Sequence, residues 1–393
     1  MTDVYLVSAA RTAIGTFGGS LANEKPGELC SLTIKAALER AGISPELVEH
    51  TVIGNVVPCE PRDAYVSRIA AVEAGIPVAA PSLTLNRLCG SGMQAIVSAA
   101  QHIMLGDHNI CIGGGAEVMS RAPYFAMNTR FGLKLGDGVI ADGMLGALQD
   151  PFHRYHMGIT AENVAEKYQV TREDQDAFAA ESQRRAAAAI EAGYFKDQIV
   201  PIEVKVKRDM VSFDTDEHVK AGTTAEKLAG LRPAFKKDGG TVTAGNASGI
   251  NDGAAATVLA SEAAVKEHGL KPLARLVSYG HAGVDPAYMG IGPVPASENA
   301  LKKAGISKDD LDVIESNEAF AAQACAVSKQ LGLDPAKVNP NGSGISLGHP
   351  IGATGAMLVT KLAYELQRSG GKMGLATMCI GGGQGIATVW EAV

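Results

Sequence analysis

The chain has 393 residues, 46% of them hydrophobic and 20% charged, with a formal net charge of −7. This length can bury a large core and favours two or three domains, while the acidic balance and the lack of any Lys/Arg run argue against a nucleic-acid surface. No apolar run reaches the roughly 18 residues that a membrane span needs, and the N-terminus lacks the pattern of a signal peptide. We therefore expect a cytoplasmic protein that binds neither nucleic acid nor membrane, with its six cysteines reduced.

The first 119 residues alternate strands and helices. The pattern predicts a strand at 4–8, a helix at 26–41 that ends at Gly42, a buried strand at 51–57, a strand at 83–85, a helix from Gly90 to Met104, and a short strand at 109–112 closed by three glycines. Such alternation is typical of a mostly parallel sheet with helical cover.

Residues from about 120 to 248 do not follow this alternation. They include a stretch rich in Met, Arg and aromatic residues at 119–131, a charged helix at 161–192, a polar stretch at 205–237 and a Gly/Ser/Asn-rich segment at 245–249. Long insertions in α/β proteins often carry substrate specificity. We predict an inserted loop domain at 120–248, which interrupts a first half made of residues 1–119 and 249–271.

The remainder, residues 272–393, repeats the order of the first half. The pattern predicts a helix at 297–304 that ends at Gly305, a strand at 311–314, a helix at 353–366, and a strand at 374–378 closed by three glycines. Two pairs of near-copies support a duplication, because they recur at nearly the same separation: 37–44 with 300–307, and 111–115 with 379–383. The chain is therefore predicted to be an α/β protein with a pseudo-twofold axis.

Reactive residues occur where the two copies differ. Cys89 follows a strand and precedes a helix, whose N-terminal N–H groups favour a thiolate, and the adjacent Gly90 and Gly92 leave room for an acyl group. His349 precedes Pro350, which keeps its backbone extended and aims the ring, so it is a candidate base for a thiol. These two residues predict a site where the halves meet. A structural cysteine and a buried histidine with satisfied hydrogen bonds remain the alternatives.

Two further motifs lie at predicted strand ends. Cys379 precedes glycines whose N–H groups can form an oxyanion hole, but its near-copy Cys111 is followed by the same residues, so a structural role stays open for one of them. Asn317 can hold a water or a carbonyl oxygen, and Phe320 can line a pocket. A plain turn before a helix explains that motif equally well.

Metal and nucleotide sites are disfavoured. Residues 90–95 match a GxGxxA dinucleotide fingerprint, but no acidic strand end follows at a useful distance. The cysteines and histidines lack the spacings of a zinc site. We expect no metal.

Four motifs together resemble the thiolase family: 86–92 (NRLCGSG), 317–320 (NEAF), 348–352 (GHPIG) and 379–385 (CIGGGQG), which span nearly the whole chain in order. The chain looks most similar to biosynthetic acetyl-CoA acetyltransferases, and within them to bacterial β-ketothiolases of polyhydroxyalkanoate synthesis. The resemblance implies a thiolase fold: two βαβαβαββ halves in a five-layered α/β/α/β/α sandwich, with an inserted loop domain.

The resemblance also implies an activity. Two acetyl-CoA molecules, or acetyl-CoA and a slightly longer acyl-CoA, would condense reversibly to a 3-oxoacyl-CoA and CoA. Coenzyme A thioesters would be substrates, and no cofactor would be needed. Family members are homo-oligomers, usually tetramers built as dimers of dimers and sometimes dimers.

The same resemblance assigns roles to residues. Cys89 is implied to be the nucleophile that takes the acyl group, His349 the base that activates it, and Cys379 the acid/base at the α-carbon of the second acetyl-CoA. Asn317 and His349 are implied to form one oxyanion hole, and the N–H groups of Cys89 and Gly381 the other.

Contacts with coenzyme A are implied at positions in the loop domain and the second half. They are His156, Met157, Leu231, Phe235, Ala244, Ser248, Ala319 and Phe320. Lys220 stands where some relatives have arginine near coenzyme A. Leu88, Met289 and Ile351 are implied to shape the acyl pocket.

Related interpretations stay open. A degradative 3-ketoacyl-CoA thiolase of broader chain length shares these motifs, and only its substrate range separates it. A β-ketoacyl synthase shares the fold but uses two histidines where this chain has Asn317 and His349 with Cys379. A hydrolase would release coenzyme A without forming a carbon–carbon bond. A catalytically dead relative would lack one of the three reactive residues, all of which are present.

Overall fold

The structure is a computed structural model that describes residues 2–206 and 208–393. Its α-helices are α1 Pro26–Ala41, α2 Val66–Glu73, α3 Ser91–Leu105, α4 Gly143–Ala147, α5 Met157–Tyr168, α6 Arg172–Glu191, α7 Ala225–Ala229, α8 Glu262–Glu267, α9 Pro293–Ala304, α10 Ala321–Leu331, α11 Gly344–Leu347 and α12 Thr354–Ser369. Its strands are β1 Val4–Thr12, β2 Gly15–Thr16, β3 His50–Gly54, β4 Ser82–Leu85, β5 Ile110–Val118, β6 Tyr124–Met127, β7 Val139–Asp142, β8 Ile199–Val200, β9 Ile202–Val206, β10 Asp209–Phe213, β11 Asn251–Ser261, β12 Ala274–Gly283, β13 Val313–Ser316, β14 Met373–Ile380 and β15 Gln384–Ala392.

Helix ends follow from the local sequence. Helix α1 begins at Pro26, whose fixed φ suits the first helical turn, and ends at Gly42 in the left-handed region, with φ 66°. Its counterpart α9 begins at Pro293 and ends at Gly305 with φ 72°. The two predicted glycine caps are therefore confirmed.

One sheet contains eleven strands and joins both halves. Its order is β13-β14-β15-β12-β1-β11-β5-β3-β4, with β2 beside β11 and β8 beside β1. The halves meet where β1 pairs with β12, over only two residue pairs, Tyr5 with Arg275 and Leu6 with Ala274. On either side of this junction the strands follow the same order, β1-β11-β5-β3 in one half and β12-β15-β14-β13 in the other, which agrees with the predicted duplication.

Helices α3 and α12 form the middle of five layers. They pack against each other, α3 on β3 and β5, and α12 on β13 and β14. Helices α1 and α2 cover the other side of the first-half strands, and α9 packs on β12 and β15 of the second half. In order, the layers are α1 with α2, the first-half strands, α3 with α12, the second-half strands, and α9. This arrangement confirms the predicted five-layered α/β/α/β/α sandwich.

Glycines at equivalent positions of the two halves bring the middle helices together. A Cβ at Gly92 would lie 2.8 Å from the nitrogen of Ala356, and one at Gly355 would collide with the nitrogen of Met93. A Cβ at Gly90 would lie 2.5 Å from Ile380. The glycines beside Cys89 therefore admit neighbouring protein atoms, and the approach of an acyl group to their backbone stays a prediction.

The sheet is mixed, where the sequence pattern predicts a mostly parallel one. Parallel pairs are β3 with β4, β3 with β5, β13 with β14, and β1 with β8, while the pairs at the centre of the sheet are antiparallel. One reason is the connection between β14 and β15, a tight turn at Gly381–Gly383 that only antiparallel neighbours can use.

Several boundaries differ from the prediction. The glycines after Cys111 lie inside β5 instead of ending it, because Gly113 lets Ile96 of α3 pack against the strand. The predicted helix at 161–192 is two helices, α5 and α6, separated where Gln169 adopts φ 52° and Thr171 caps α6. The predicted strand at 51–57 ends at Gly54.

Among the described residues, no helix combines the length and apolarity needed to cross a membrane.

Candidate active site

A cavity of about 220 Å³ lies where the two halves and the 120–248 segment meet. Most of the predicted site residues line it: Cys89, His156, Met157, Phe235, Ser248, Ala319, Phe320, His349, Cys379 and Gly381. Leu88, Met289 and Ile351, expected to shape an acyl pocket, line it as well. The walls are mainly apolar, so a bound group would be largely shielded from water.

Cys89 lies in a tight turn between β4 and α3. Asn86 Oδ1 accepts the N–H of Leu88 at 2.8 Å, and Ser91 Oγ accepts the N–H of Arg87 at 2.8 Å and donates to the carbonyl of Leu88 at 2.7 Å. Leu88 has φ 46°, in the left-handed region that leucine rarely adopts. The side chains of Asn86 and Ser91 therefore hold a strained backbone that places the half-buried Cys89 in the cavity.

The thiol of Cys89 is protonated in the free protein. Burial raises its pKa to about 11, although the N–H groups of Gly381 and of Cys89 itself lower the pKa by hydrogen bonding to the sulfur. Burial thus opposes the thiolate that was expected at a helix N-terminus, and helix α3 itself begins only at Ser91. The thiol needs a base to ionise.

His349 is a buried, neutral imidazole with a defined tautomer. Burial lowers its pKa to about 4. Thr354 Oγ1 lies 2.7 Å from His349 Nδ1 and donates its single hydrogen to the carbonyl of Pro350 at 2.9 Å. The hydroxyl can therefore only accept from Nδ1–H, which leaves Nε2 unprotonated and able to accept a proton.

The His349 backbone is fixed as well. Its N–H donates to Asn251 Oδ1 at 2.9 Å, and Asn251 Nδ2 donates to the carbonyl of Gly15 at 3.0 Å. Gly348 has φ 112°, and a Cβ there would clash with the Asn251 amide. Glycine at 348 thus allows β11 to hold the loop that carries the imidazole.

Asn317 does not line the cavity, but it contacts His349. Its Nδ2 lies 3.4 Å from His349 Nε2, and its backbone N–H donates to the carbonyl of Thr377 at 3.0 Å. Its Oδ1 is buried and has no hydrogen-bond partner among the described residues. A buried acceptor of this kind is costly, and a bound water or ligand donor would satisfy it.

Cys379 is the penultimate residue of β14 and is fully buried. Burial raises the pKa of its thiol, and the neighbouring Cys89 raises it further, which places the two sulfurs at one site. Gly381 follows in the turn to β15, directing its N–H to the sulfur of Cys89. The near-copy Cys111 lies instead in the hydrophobic core, in strand β5, where its backbone is opposite that of His50 in β3. Of the two near-copies, Cys379 lines the cavity and Cys111 does not.

Aromatic rings line one part of the cavity. His156 stacks on Phe235 with centroids 4.6 Å apart, and Phe235 meets the edge of Phe320 at 6.3 Å. His156 Nδ1 accepts the N–H of Gly158 at 3.0 Å and so caps α5. Ser248 donates its N–H to the carbonyl of Ala319 at 3.0 Å, which fastens the end of the 120–248 segment to the second half.

Leu231 and Ala244 line a separate groove of about 380 Å³. Ala247 lines both the groove and the cavity, so the two adjoin. Lys220 and Lys227 also line the groove and give it positive charge.

Among the described residues, no group of three or more His, Cys, Asp or Glu side chains is arranged to hold a metal ion.

Several residues that shape the site were not found from the sequence. Glu117 is a buried acid inside the apolar strand β5, and such a residue is itself a signal, since buried charges need partners. Thr354 lies five residues after His349, a spacing that would have suggested contact only once the start of α12 was known. Asn251 gave no signal, because its contact with His349 spans 98 residues.

Comparisons with known proteins give the class first. Residues 4–263 match the model of the thiolase N-terminal domain, and residues 270–392 match that of the thiolase C-terminal domain. The chain therefore belongs to the thiolase family, and it is an enzyme of that family.

Individual relatives cover its whole length. It is 63% identical over 391 residues to β-ketothiolase BktB of Cupriavidus necator, which spans 100% of this chain and 99% of the relative. It is 52% identical to an acetyl-CoA acetyltransferase of the same organism, with both chains covered in full. Two structures of human mitochondrial 3-ketoacyl-CoA thiolase, one of them a complex with CoA, superpose with TM-scores of 0.98 and 0.97 at 47% identity, covering 100% of this chain and 99% and 98% of theirs.

Proposed function

We propose that this thiolase is an acetyl-CoA C-acetyltransferase, a β-ketothiolase that condenses two acetyl-CoA molecules, or acetyl-CoA and a slightly longer acyl-CoA, to a 3-oxoacyl-CoA and CoA. The observation that carries the proposal is one apolar cavity that holds two thiols, Cys89 and Cys379, beside the neutral imidazole of His349. Carbon–carbon bond formation between thioesters needs a covalent acyl carrier and a separate base for a weakly acidic α-proton, and this set supplies both.

The first half-reaction forms the acyl-enzyme. His349 Nε2 takes the proton of Cys89, and the sulfur attacks the thioester carbonyl while the N–H groups of Cys89 and Gly381 bind the developing oxyanion. The carbon–sulfur bond to CoA breaks, and the leaving sulfur takes the proton of Cys379. The site then holds an acylated Cys89, a protonated His349 and a Cys379 thiolate.

The second half-reaction forms the new bond. The Cys379 thiolate removes the α-proton of the second acetyl-CoA, and the enolate oxygen accepts hydrogen bonds from protonated His349 Nε2 and from Asn317 directly or through a water. The enolate carbon attacks the acyl group, the Cys89–carbon bond breaks, and the Cys89 sulfur recovers its proton from His349. Both thiols return to their starting state, so the cycle balances.

Coenzyme A would run from the groove into the cavity. The aromatic part of the lining, formed by His156, Phe235 and Phe320, suits the narrow pantetheine arm, and Met157, Ser248 and Ala319 line the same cavity. The groove with Leu231 and Ala244 would take the nucleotide, because its lysines attract phosphates. A structure of human mitochondrial 3-ketoacyl-CoA thiolase, which matches this chain at a TM-score of 0.97, is a complex with CoA, and this supports the proposal that the chain binds coenzyme A.

A homotetramer is part of the proposal. The hairpin of β6 and β7 and its connecting loop expose large apolar side chains, with Phe131 92% and Leu135 101% exposed. Contiguous apolar surface of this kind is typical of a subunit contact. Sedimentation equilibrium of the wild type should give a tetramer, and a monomer would contradict this part.

The test is peptide mapping by mass spectrometry after brief exposure to acetyl-CoA alone. We expect an acetyl group on the Cys89 peptide, lost in Cys89→Ala and kept in Cys59→Ser, a matched control because Cys59 is also a half-buried thiol but lies outside the cavity. Absence of the adduct together with no release of free CoA would refute the function. A fall in kcat/KM with acyl chain length would separate this enzyme from a degradative thiolase of broad range.

A further inference from the structure

The carboxylate of Glu117 is fully buried in β5 beside the cavity. Its hydrogen-bond partners are all N–H donors. Oε1 accepts from Asn55 Nδ2 at 3.1 Å and the N–H of Val57 at 3.0 Å, and Oε2 accepts from the N–H groups of Val56 at 3.0 Å and Gly352 at 2.9 Å. A carboxylate accepts all four, whereas a neutral acid or amide would turn a hydrogen toward a donor.

One side of this carboxylate holds the loop that carries His349. Gly352 lies three residues after the imidazole, and a Cβ there would collide with Glu117 Oε2. In return, a Cβ at Gly115 in β5 would collide with the carbonyl of Gly352. The strand and the loop therefore interlock through two glycines, so that the position of this loop depends on the carboxylate.

The same carboxylate oxygen, Oε2, also holds the turn that carries Cys89. Glu117 binds the N–H of Val56, and the carbonyl of Val56 accepts Asn86 Nδ2 at 3.2 Å. Asn86 Oδ1 in turn binds the N–H of Leu88, the residue directly before the thiol. A continuous chain of hydrogen bonds thus links the carboxylate to both halves of the site.

We propose that Glu117 is a positioning residue of the active site, whose carboxylate fixes the His349 loop relative to the Cys89 turn; this inference rests on the function proposed above. It does not touch substrate in this role. It acts by keeping the base and the nucleophile, which come from different halves, at a constant separation.

The charge of Glu117 has a second, measurable effect at Cys89. Burial raises the pKa of Glu117 to about 8, although the N–H groups of Val57, Val56 and Gly352 lower it. Glu117 is therefore ionised where the Cys89 thiol titrates, at about 11, and its charge there raises the pKa of that thiol. Removing the charge should therefore lower the thiol pKa, while loss of the hydrogen bonds should slow turnover. A purely structural role would not produce these two effects together.

The test compares Glu117→Gln with Glu162→Gln. Glu162 is a matched control, because it is also buried and accepts the N–H groups of Thr241 and Val242, each at 2.9 Å, with no hydrogen bond to β5, the His349 loop or the Cys89 turn among the described residues. For Glu117→Gln we expect kcat of acetoacetyl-CoA thiolysis to fall roughly tenfold to hundredfold, and the pH midpoint of Cys89 alkylation by iodoacetamide to move down. In Glu162→Gln the midpoint should stay at the wild-type value.

Wild-type kcat in Glu117→Gln would overturn the inference, as would a lower kcat with an unmoved midpoint. If Glu117→Gln does not fold, Gly352→Ala is the second variant, because it displaces the His349 loop and keeps the charge of Glu117. In Gly352→Ala we expect kcat to fall while the midpoint of Cys89 alkylation stays unchanged. Wild-type kcat in Gly352→Ala would equally overturn the inference. An inactive wild type would refute the proposed function, whereas the alkylation midpoints would still test the influence of Glu117 on Cys89.

Discussion

Thr354→Val tests the tautomer of His349. In the native protein Thr354 Oγ1 accepts the Nδ1–H at 2.7 Å, deep in the site. Valine has nearly the same shape and no acceptor, so the N–H would be buried without a partner. The imidazole would then either keep this tautomer at a cost or move its proton to Nε2, which would no longer accept the proton of Cys89.

The size of the effect follows from the buried donor. An unsatisfied buried N–H costs about 1–3 kcal/mol, which corresponds to roughly a 5- to 150-fold loss in kcat/KM if the cost falls on the transition state. Thiolysis of acetoacetyl-CoA reports kcat/KM, and alkylation of Cys89 by iodoacetamide near neutral pH reports activation of the thiol alone. Both rates should fall together.

Two control variants accompany Thr354→Val. Thr360→Val removes the same kind of hydrogen bond from α12, since Thr360 Oγ1 donates to the carbonyl of Ala356 at 2.9 Å, away from the imidazole. It should lose some stability while keeping the rates of the wild type. Thr354→Ser keeps the acceptor and should restore most activity. Wild-type kcat/KM and alkylation in Thr354→Val would refute the tautomer assignment.

Three further outcomes are expected. Cys379→Ser should still accept an acetyl group on Cys89 but stop exchange of acetyl α-protons with deuterium from solvent, and normal exchange measured by NMR would remove Cys379 from its role. Burial lowers the pKa of His349 from 6.5 to about 4, so its imidazole stays neutral as pH falls through 6.5. We expect kcat/KM to show no step near pH 6.5 and to decline only as pH approaches 4. A step near 6.5 in the pH–rate profile would contradict the burial argument. Gly115→Ala should lower the Tm and slow thiolysis by pushing Gly352 away, and unchanged values of both would mean that the strand adapts without cost.

Local signals in the sequence were enough to predict much of the fold. The caps at Gly42 and Gly305 require only the left-handed region that glycine tolerates, and the structure has both. The duplicated motifs predicted the pseudo-twofold halves. Antiparallel pairing at the centre of the sheet was missed because alternation of strands and helices says nothing about strands that follow one another directly, such as β14 and β15.

In the candidate site, too, residues marked by a local motif were predicted, whereas contacts between segments were not. Cys89, His349 and Cys379 each stand in a glycine-containing motif that marks them in the sequence, and the cavity brings them together. The contacts from Asn251 and Glu117 arise only when distant segments meet. The contact from Thr354, five residues after His349, depends on where α12 begins, so no motif shows it either. The ionisation of Cys89 was misjudged because the degree of burial is a property of the folded chain.

The position of β11 has a consequence for the order of synthesis. This strand lies between β1 and β5, yet its residues, Asn251–Ser261, leave the ribosome long after those of either neighbour. At typical translation rates the delay after β5 is on the order of ten seconds. During that interval the nascent first half has an open slot in the middle of its sheet, flanked by the edges of β1 and β5, and residues 120–248 emerge before the slot is filled. We expect nascent chains halted before residue 251 to be bound by chaperones, and chains halted beyond 261 to resist proteolysis.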